Sequence, residues 1–244
     1  MYDLGVVVPV RRGSSRIFEK CALPFANQDT LIEWKLTQLI EVIPPERIYL
    51  SSEDEVFLSI ASKLGVSTHV RARHLAVGHT AAFRDVITGI VKDIAHTHIA
   101  WSTVVCPLMS PRDYAASFRN YLAQVINGPC DSLLGVVPEQ AYMWSKAGPL
   151  NYQANRNHTI SQDLPEWFKV TNSIYMAPRD LIMRQEYFLG DKPYLQTLPK
   201  LASIDIDFLD DYRFAKALYA IYSEDKMHEM DEAQQIDWRN HATA

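Results

Sequence analysis

Apolar runs alternate with amphipathic segments along most of the chain. The run from Leu4 to Val10 is continuously aliphatic, as is typical of a strand buried on both faces of a parallel sheet. Residues 31–40 carry apolar side chains at spacings of three and four, which predicts an amphipathic helix. Strands that alternate with helices indicate an α/β fold with a doubly wound, mostly parallel, Rossmann-like sheet. The same patterns predict further strands at 48–50, 66–70, 99–105, 132–137, 172–177 and 202–207, and further helices at 54–64, 80–94, 111–127, just after Pro178, and at 209–222.

One stretch breaks this pattern. Residues 138–169 are polar and aromatic and lack clean helical spacing, so we interpret them as an insertion after the fifth strand, either hairpins or an arm. The acidic segment that follows Ser223 is expected to be loosely held. The chain is therefore predicted to consist of a core (1–137 and 170–225), an inserted arm (138–169) and a C-terminal tail (226–244).

Composition narrows the class of protein. The 244 residues are 48% hydrophobic and 22% charged, which suits a globular chain with a sizeable core. A net charge of −5, without a long block of one sign, argues against nucleic acid binding. No apolar run reaches the roughly 18–20 residues of a membrane helix, and no basic stretch opens the chain, so we expect no membrane partner and a cytoplasmic protein. The three cysteines are widely separated and lack a CxxC pair, which argues against a disulfide framework or a zinc site.

The turn after the first predicted strand is the first candidate site, because ligands of open α/β sheets bind beyond the carboxyl ends of the strands. Its arginines, hydroxyls and glycine suit a polyphosphate, since guanidinium groups and closely approaching backbone amides bind phosphate oxygens. A solvated polar turn is the alternative, and the position directly after a buried strand weighs against it. The turn and its continuation comprise Arg11, Arg12, Gly13, Ser14, Ser15, Arg16 and Lys20.

Asp205 and Asp207 form the second candidate site. One isoleucine separates them, so on a strand both carboxylates would point to the same face. Paired carboxylates that cannot neutralise each other favour a cation, and hard oxygen ligands suit Mg²⁺, which bridges substrate phosphates. Solvated aspartates that cap the next helix are the alternative. Together the two candidates predict a site for a nucleoside triphosphate with Mg²⁺.

Three motifs in order carry a family resemblance. The turn has the form Arg-x-Gly-Ser-x-Arg-Ile-x-x-Lys, the segment from Arg71 the form Arg-x-x-x-Leu-Ala, and the segment from Asp205 the form Asp-Ile-Asp-x-x-x-Asp. The chain resembles the CMP-sialic acid synthetase family, the cytidylyltransferases that activate sialic acids and related 3-deoxy-2-ulosonic acids as CMP-sugars. The likeness spans Val6 to about Tyr219. It implies the nucleotide-diphospho-sugar transferase type of fold, with a dimerisation arm after the fifth strand.

The resemblance also implies roles for individual residues. Arg11, Lys20, Asp205 and Asp207 would be catalytic, with the two aspartates as Mg²⁺ ligands. On the acceptor side we assign Cys106, Gln162 and Lys169, although a packed thiol and a solvated lysine are the alternatives for Cys106 and Lys169. The predicted nucleotide-binding residues are Val10, Arg11, Arg12, Gly13, Ser14, Ser15, Lys20, Arg71, Thr80 and Ala82.

The motifs depart from the family pattern at three places. The family's Ile-Pro-Gly-Lys-Asn reads Ile-Phe-Glu-Lys-Cys at 17–21, and its Gln-Pro-Thr-Ser-Pro-Leu-Arg reads Cys-Pro-Leu-Met-Ser-Pro-Arg at 106–112. The family's Arg-Gln-x-Leu-Pro reads Ser-Gln-Asp-Leu-Pro at 161–165. These differences fall mainly on the acceptor side, so we predict a preserved nucleotide end and an altered acceptor pocket.

The resemblance implies transfer of CMP from CTP to a 2-ulosonic acid, with Mg²⁺ as cofactor, pyrophosphate as the second product, and a homodimer in which the arm closes the partner's site. One alternative is a nucleotidyltransferase that uses another base or a sugar-phosphate or phosphonate acceptor. Another is a catalytically silent relative that binds nucleotide. A dinucleotide-binding oxidoreductase is disfavoured because the GxGxxG fingerprint is missing.

Overall fold

Seven strands form the central sheet in a computed structural model that describes residues 2–13, 16–17, 19–76 and 81–224. The strands lie in the order β3-β2-β1-β4-β8-β5-β9. β8 runs antiparallel to both of its neighbours, whereas the other pairs are parallel, which confirms the predicted mostly parallel α/β fold. The strands are β1 (Leu4–Pro9), β2 (Ile48–Ser52), β3 (Ser67–Val70), β4 (His98–Trp101), β5 (Ser132–Glu139), β6 (Trp144–Ser145), β7 (Gly148–Pro149), β8 (Trp167–Pro178) and β9 (Pro193–Thr197), of which β6 and β7 form a separate small hairpin.

Helices cover both faces of the sheet. They are α1 (Leu31–Ile40), α2 (Glu55–Lys63), α3 (Phe83–Val91), α4 (Pro111–Tyr121), α5 (Arg179–Gln185) and α6 (209–224), and a π-helical turn at Leu122–Ile126 extends α4. α1, α2 and α4 pack on the face that includes Val6 and Val8 of β1, and α3 and α5 pack on the face that includes Val7. The aliphatic run of β1 is therefore buried from both sides, as its sequence predicts.

Local side-chain chemistry fixes the helix starts. Thr30 accepts a hydrogen bond from the backbone of Glu33 at the start of α1, and Asp54 accepts two from the first turn of α2. Ser110 and Asp113 form a capping box at the start of α4, with a proline at its first position. These caps satisfy backbone N–H groups in the first turns of all three helices.

The strand predicted at 202–207 is wrong. A 3₁₀ helix at Lys200–Ser203 occupies its first part, closed by a hydrogen bond from the Ser203 hydroxyl to the Lys200 carbonyl, and residues 204–207 belong to neither a helix nor a strand. The seventh strand is instead β9, which pairs with β5. Its sequence contains Pro193 and two polar residues at its end, so it lacks the apolar run that marks the other parallel strands.

The arm contains the short β6–β7 hairpin and a cluster of packed rings from Tyr142, Tyr152 and His158. The domain boundaries placed at 137/138 and 169/170 fall inside paired strands, because β5 continues to Glu139 and β8 begins at Trp167. The predicted tail, 226–244, lies outside the described residues. Within the described part of the chain, no helix has the length and apolar character needed to cross a membrane.

Buried polar side chains of α1 hold the loop that follows β4. The Lys35 ammonium group is fully buried and donates to the Cys106 carbonyl at 2.8 Å and to the Tyr114 hydroxyl at 2.7 Å. Trp34 donates to the Pro107 carbonyl at 2.7 Å, and Gln38 donates to the Met109 carbonyl at 2.9 Å. The loop at 106–109 is thus attached to α1 through the carbonyls of three of its four residues, which fixes the chain as it leaves β4.

We expect Lys35 to make stability depend on alkaline pH. Burial lowers the pKa of Lys35 from 10.5 to about 8, so above pH 8 the folded state releases a proton that the unfolded state keeps. The free energy of unfolding should therefore rise with pH above pH 8 through this group, by on the order of 1 kcal/mol per pH unit. That gain should level off near pH 10.5 and should be lost as the pH falls through 8.

Urea unfolding of the wild type and Lys35→Met at pH 7, 8 and 9 measures this contribution, because the difference between the two proteins removes the other titrating groups. The difference should change with pH in favour of the wild type. A pH-independent difference would contradict the assignment.

Candidate active site

A cavity of about 550 Å³ lies at the carboxyl ends of β1 and β4. The order of the strands reverses at this point: β2 and β3 lie on one side of β1, and β4 lies on its other side. Ligands of open α/β sheets bind at such a position. Polar side chains line one part of the cavity and aromatic side chains line another. The polar ones are Arg11, Arg16, Lys20, Arg71, Thr103, Asn172, Asp205 and Asp207, and the aromatic ones are Phe83, Trp101, Tyr175, Tyr187 and Phe188.

The segment with Asp205 and Asp207 is held by the peptide groups of the residue between them. Ile206 is fully buried, its N–H donates to the Val105 carbonyl at 2.9 Å, and its carbonyl accepts from the Lys20 ammonium group at 2.6 Å. Both aspartates line the cavity, as predicted, although the segment is not a strand of the sheet. Ile206 is buried while its two neighbours line the cavity, which is the alternation expected of an extended backbone.

Asp207 lies next to two cations. One of its carboxylate oxygens is 2.7 Å from the Arg16 guanidinium group and 3.5 Å from the Lys20 ammonium group. Asp211 caps the start of α6, because its carboxylate accepts hydrogen bonds from the backbone of Asp207 and Phe208. The alternative role for the aspartate pair was to cap the next helix, and Asp211 makes these contacts instead. Both aspartates of the pair line the cavity.

Asp205 has one satisfied and one unsatisfied oxygen. Oδ2 accepts a hydrogen bond of 2.5 Å from the Asn172 amide, whereas Oδ1 is buried and has no hydrogen-bond partner among the described residues. Burial is the main cause that raises the pKa of Asp205 above its ordinary value, and the Asn172 hydrogen bond opposes it. A buried carboxylate oxygen without a partner, beside a second carboxylate, fits a hard divalent cation.

This pair would supply only part of a coordination sphere. No group of three or more potential metal-ligating side chains from His, Cys, Asp and Glu is found in the described ranges. Mg²⁺ commonly takes one or two carboxylates from the protein and the remaining ligands from water and substrate phosphates, so two aspartates are sufficient.

Arg71 connects the segment after β3 to the turn after β1. It is 4% exposed, and its Nη2 donates to the Val10 carbonyl and, at 2.9 Å, to a Glu53 carboxylate oxygen. The other Glu53 oxygen accepts from the backbone N–H of Arg12 at 3.1 Å. Glu53, which the sequence analysis did not single out, therefore joins two of the predicted nucleotide-binding segments.

The remaining predicted nucleotide-binding residues occupy different positions. Arg11 and Val10 line the cavity, and Gly13 is exposed with open space around its Cα. Arg12 is half-exposed and forms an ion pair with Asp54 at 2.7 Å. Ala82 precedes the first residue of α3, and its neighbour at position 81 lines the cavity. Ser14, Ser15 and Thr80 lie outside the described residues.

The three residues predicted for the acceptor side do not come together. Cys106 is fully buried, and burial raises the pKa of its thiol to about 12. Gln162 and Lys169 are exposed, Gln162 on the arm and Lys169 near the start of β8. Among the described residues that line the cavity, none of these three is found.

Aromatic side chains that the sequence analysis missed form one wall of the cavity. We call Phe83, Trp101, Tyr175, Tyr187 and Phe188 the aromatic wall. Phe188 is its centre, with ring centroids 4.8 Å from Trp101, 5.2 Å from Tyr175 and 5.4 Å from Tyr187. Glu186, directly after α5, is in the left-handed conformation (φ 54°), and the two rings that follow it line the cavity. The wall combines residues from four separate segments, so no local motif could have revealed it.

Comparison with known proteins identifies related sequences over nearly the full chain. A family model described as cytidylyltransferase matches residues 5–234. The pseudaminic acid cytidylyltransferase of Campylobacter jejuni subsp. jejuni serotype O:23/36 (strain 81-176) is 24% identical over 230 residues, which cover 89% of this chain and 97% of that protein. The protein of the same name from serotype O:2 (strain ATCC 700819 / NCTC 11168) is 23% identical over the same shares of each chain.

Solved structures share the fold. CMP:2-keto-3-deoxy-manno-octonic acid synthetase complexed with CTP superposes with a TM-score of 0.64 at 13% identity, covering 89% of this chain and 98% of that chain. A cytidylyltransferase from Leptospira borgpetersenii serovar Hardjo-bovis (strain JB197) gives a TM-score of 0.56 at 16% identity over 97% of both chains. At these identities the structures establish a common fold, in agreement with the sheet order described above.

Replacing Glu53 by alanine should damage both stability and nucleotide binding. The change leaves the buried Arg71 guanidinium group without its carboxylate and the Arg12 N–H without its acceptor, so we expect a loss of about 2 kcal/mol in the free energy of unfolding. Urea unfolding measures the stability, and calorimetric titration with CTP measures the affinity.

Glu55→Ala is the matched control, because Glu55 is exposed in the first turn of α2. It should shift stability by less than about 0.5 kcal/mol and leave CTP binding unchanged. Equal effects of the two substitutions would show that the Glu53 contacts contribute neither to stability nor to CTP binding.

Proposed function

We propose, because this chain belongs to the cytidylyltransferase family, that it transfers CMP from CTP to the anomeric hydroxyl of a sialic-acid-like 2-ulosonic acid and releases pyrophosphate. The observation that carries this proposal is the juxtaposition of paired aspartates, cationic side chains and an aromatic wall in one cavity. The names of the two curated relatives, which specify pseudaminic acid, support an acceptor of this class.

The cationic part of the cavity suits the triphosphate. Arg11, Arg16 and Lys20 all line it. Phosphoryl transfer requires that the charge moving onto the leaving group be neutralised by groups already in place. We assign this role to the three cations, with Lys20 fixed most firmly because it also holds the Ile206 carbonyl.

Asp205 and Asp207 would hold Mg²⁺, for the reasons of burial and unsatisfied oxygen given above. When bound, the ion would shield the charge of the phosphates and polarise the phosphorus that is attacked. The Asn172 amide keeps one Asp205 oxygen engaged, so the orientation of that carboxylate is set before any ligand arrives.

The two ends of the cavity would take the base and the acceptor. β3 and β2 lie on one side of β1, and the segment with Arg71, Leu75 and Ala76 provides that end. β4 and β8 lie on the other side and provide Trp101 and Tyr175 of the aromatic wall. An in-line displacement at the α-phosphate places the attacking oxygen opposite the leaving pyrophosphate. We therefore assign the base to the Arg71 end and the acceptor to the aromatic wall.

The aromatic wall would contact the apolar groups of the acceptor, such as acyl methyl groups. Trp101 and Phe188 are each at most 3% exposed, and a hydroxyl buried against them without a partner would be costly. In the reaction the anomeric oxygen forms a bond to the α-phosphorus and loses its proton to solvent. The bond from the α-phosphorus to the bridging oxygen breaks, and pyrophosphate leaves with the electron pair. We place this reaction in the cytoplasm, where CTP is available.

Pyrophosphate release tests the proposed reaction directly. Each of CTP, UTP, GTP and ATP is incubated with Mg²⁺ and with sialic, legionaminic, pseudaminic or 3-deoxy-octulosonic acid. We expect release with CTP and at least one of these acids. Asp207→Asn should reduce the rate at least 100-fold, because it removes one of the two carboxylates that would hold Mg²⁺.

Asp210→Asn is the control for that variant, since Asp210 is exposed and pairs with Arg213. It should retain the wild-type rate. Release that depends on another nucleotide, or a rate that Asp207→Asn does not lower, would overturn the proposed reaction.

We also propose that the protein is a homodimer that associates through the arm. Trp144, Leu150 and Ile160 of the arm are 62%, 55% and 55% exposed, and apolar surface of this kind commonly marks a protein contact. Contact with a second copy of the chain would remove these side chains from water.

Mass photometry and gel filtration of the wild type should give twice the mass of the chain, and the double variant Trp144→Glu, Ile160→Glu should give the monomer mass. Val56→Glu, at an equally exposed apolar position on α2, should leave the dimer intact. A wild-type monomer at micromolar concentration would rule out this assembly.

A further inference from the structure

We propose that Asn172 and Tyr175 act as positioning residues that orient Asp205 for its divalent cation, and this inference rests on the function proposed above. The Tyr175 hydroxyl donates to the Asn172 amide oxygen at 3.2 Å, and the Asn172 amide nitrogen donates to Asp205 Oδ2 at 2.5 Å. The three side chains thus form a directed chain of hydrogen bonds from the aromatic wall to the carboxylate.

The direction of the chain is determined by chemistry. An ionised carboxylate can only accept, so the Asn172 group that faces Asp205 must be its NH₂. The amide oxygen then faces Tyr175, whose hydroxyl is the only one of the two groups able to donate in return. With one oxygen of Asp205 engaged in this way, the other oxygen, Oδ1, stays buried and free of hydrogen bonds within the described structure. Such an oxygen is presented to a cation rather than to the protein.

The backbone of β8 is shaped to bring these side chains together. Residues three apart on a regular strand point to opposite faces, and Asn172 and Tyr175 both line the cavity. Leu134 of β5 pairs with Tyr175 of β8, whereas Val136 of β5 pairs with Val170 of β8, so the register of the two strands changes between these pairs. This irregularity inserts extra residues into β8 and redirects Asn172, as β-bulges beside active sites do.

Two further contacts maintain the irregularity. The Thr171 hydroxyl donates to the Gly135 carbonyl at 3.1 Å, and a Cβ atom at Gly135 would lie 2.9 Å from the oxygen of that hydroxyl. The Thr103 hydroxyl donates to the Asn172 carbonyl at 2.7 Å and so attaches this part of β8 to the loop after β4. Asn172 is exposed, so its position depends on these contacts rather than on burial in the core.

The role predicts a loss of cation affinity without a loss of fold. Mn²⁺ is used as the probe, and its binding to the protein with CTP present is followed by electron paramagnetic resonance. Asn172→Ala should weaken Mn²⁺ binding 10- to 100-fold, which is the usual effect of removing a group that orients a metal ligand. Tyr175→Phe keeps the ring contact with Phe188 and should weaken binding several-fold.

Because Tyr175 acts through Asn172, the double variant should bind Mn²⁺ no more weakly than Asn172→Ala alone. Tyr194→Phe, in β9 on the same sheet, is the control for removal of a tyrosine hydroxyl and should bind Mn²⁺ as the wild type does. Melting temperatures of all variants separate a change of affinity from a change of stability.

The outcomes distinguish this inference from the proposed function. Wild-type affinity in both single variants, with binding lost in Asp205→Asn, would overturn the positioning role and leave the proposed function standing. Additive losses in the double variant would overturn the chain from Tyr175 to Asn172. Mn²⁺ binding that responds to Asn172→Ala in a protein without CMP transfer to any acceptor would overturn the proposed function and leave the positioning role standing.

Discussion

The peptide groups on either side of Ile206 are the interaction on which the site depends. The segment with Asp205 and Asp207 has no partner strand. Two hydrogen bonds of Ile206 fix its backbone instead: the Ile206 N–H donates to the Val105 carbonyl, and the Ile206 carbonyl accepts from the Lys20 ammonium group. Val105 is itself held, because the next residue's carbonyl accepts from the buried ammonium group of Lys35. A lysine that is fully buried costs free energy, and here its contacts set the conformation of the loop that positions both carboxylates.

Several charged side chains of the cavity are already paired before any substrate arrives. Asp207 is paired with Arg16 and Lys20, and Arg71 is paired with Glu53. The pairs differ in accessibility, since the side chain of Arg16 is 49% exposed and that of Arg71 is 3% exposed. An exposed pair costs little to rearrange, whereas a buried one does not separate easily. Arg16 is therefore suited to exchange its carboxylate for a phosphate, and Arg71 is suited to hold two loops in fixed positions.

The sequence predicts the parts of this structure that depend on local patterns. The aliphatic run of β1 predicts a buried strand, and the apolar spacing of α1 predicts a helix that packs on the sheet. The order of the two elements along the chain then marks the turn after β1. Contacts between segments that are distant in the sequence cannot be predicted from such local patterns. β9 is polar at one end and was not recognised, and the link from Glu53 to Arg71 joins residues 18 positions apart that lie on different loops. The placement of Asp205 and Asp207 on one side was correct although the strand proposed for them was wrong, because alternation needs only an extended backbone.

β8 unites elements that the sequence treats as separate. It begins in the arm at Trp167, contributes Asn172 and Tyr175 to the cavity, and ends beside α5, which leads to Tyr187 and Phe188. β8 lies between β4 and β5 and is antiparallel to both. Its first half, which comes from the arm, therefore lies near the carboxyl ends of β4 and β5. Residues 167–170 of β8 pair with β5, and residues 175–178 pair with β4. The arm, the Asp205 carboxylate and the aromatic wall therefore share one backbone element, and the bulge opposite Gly135 is the point at which that element changes from arm to active site.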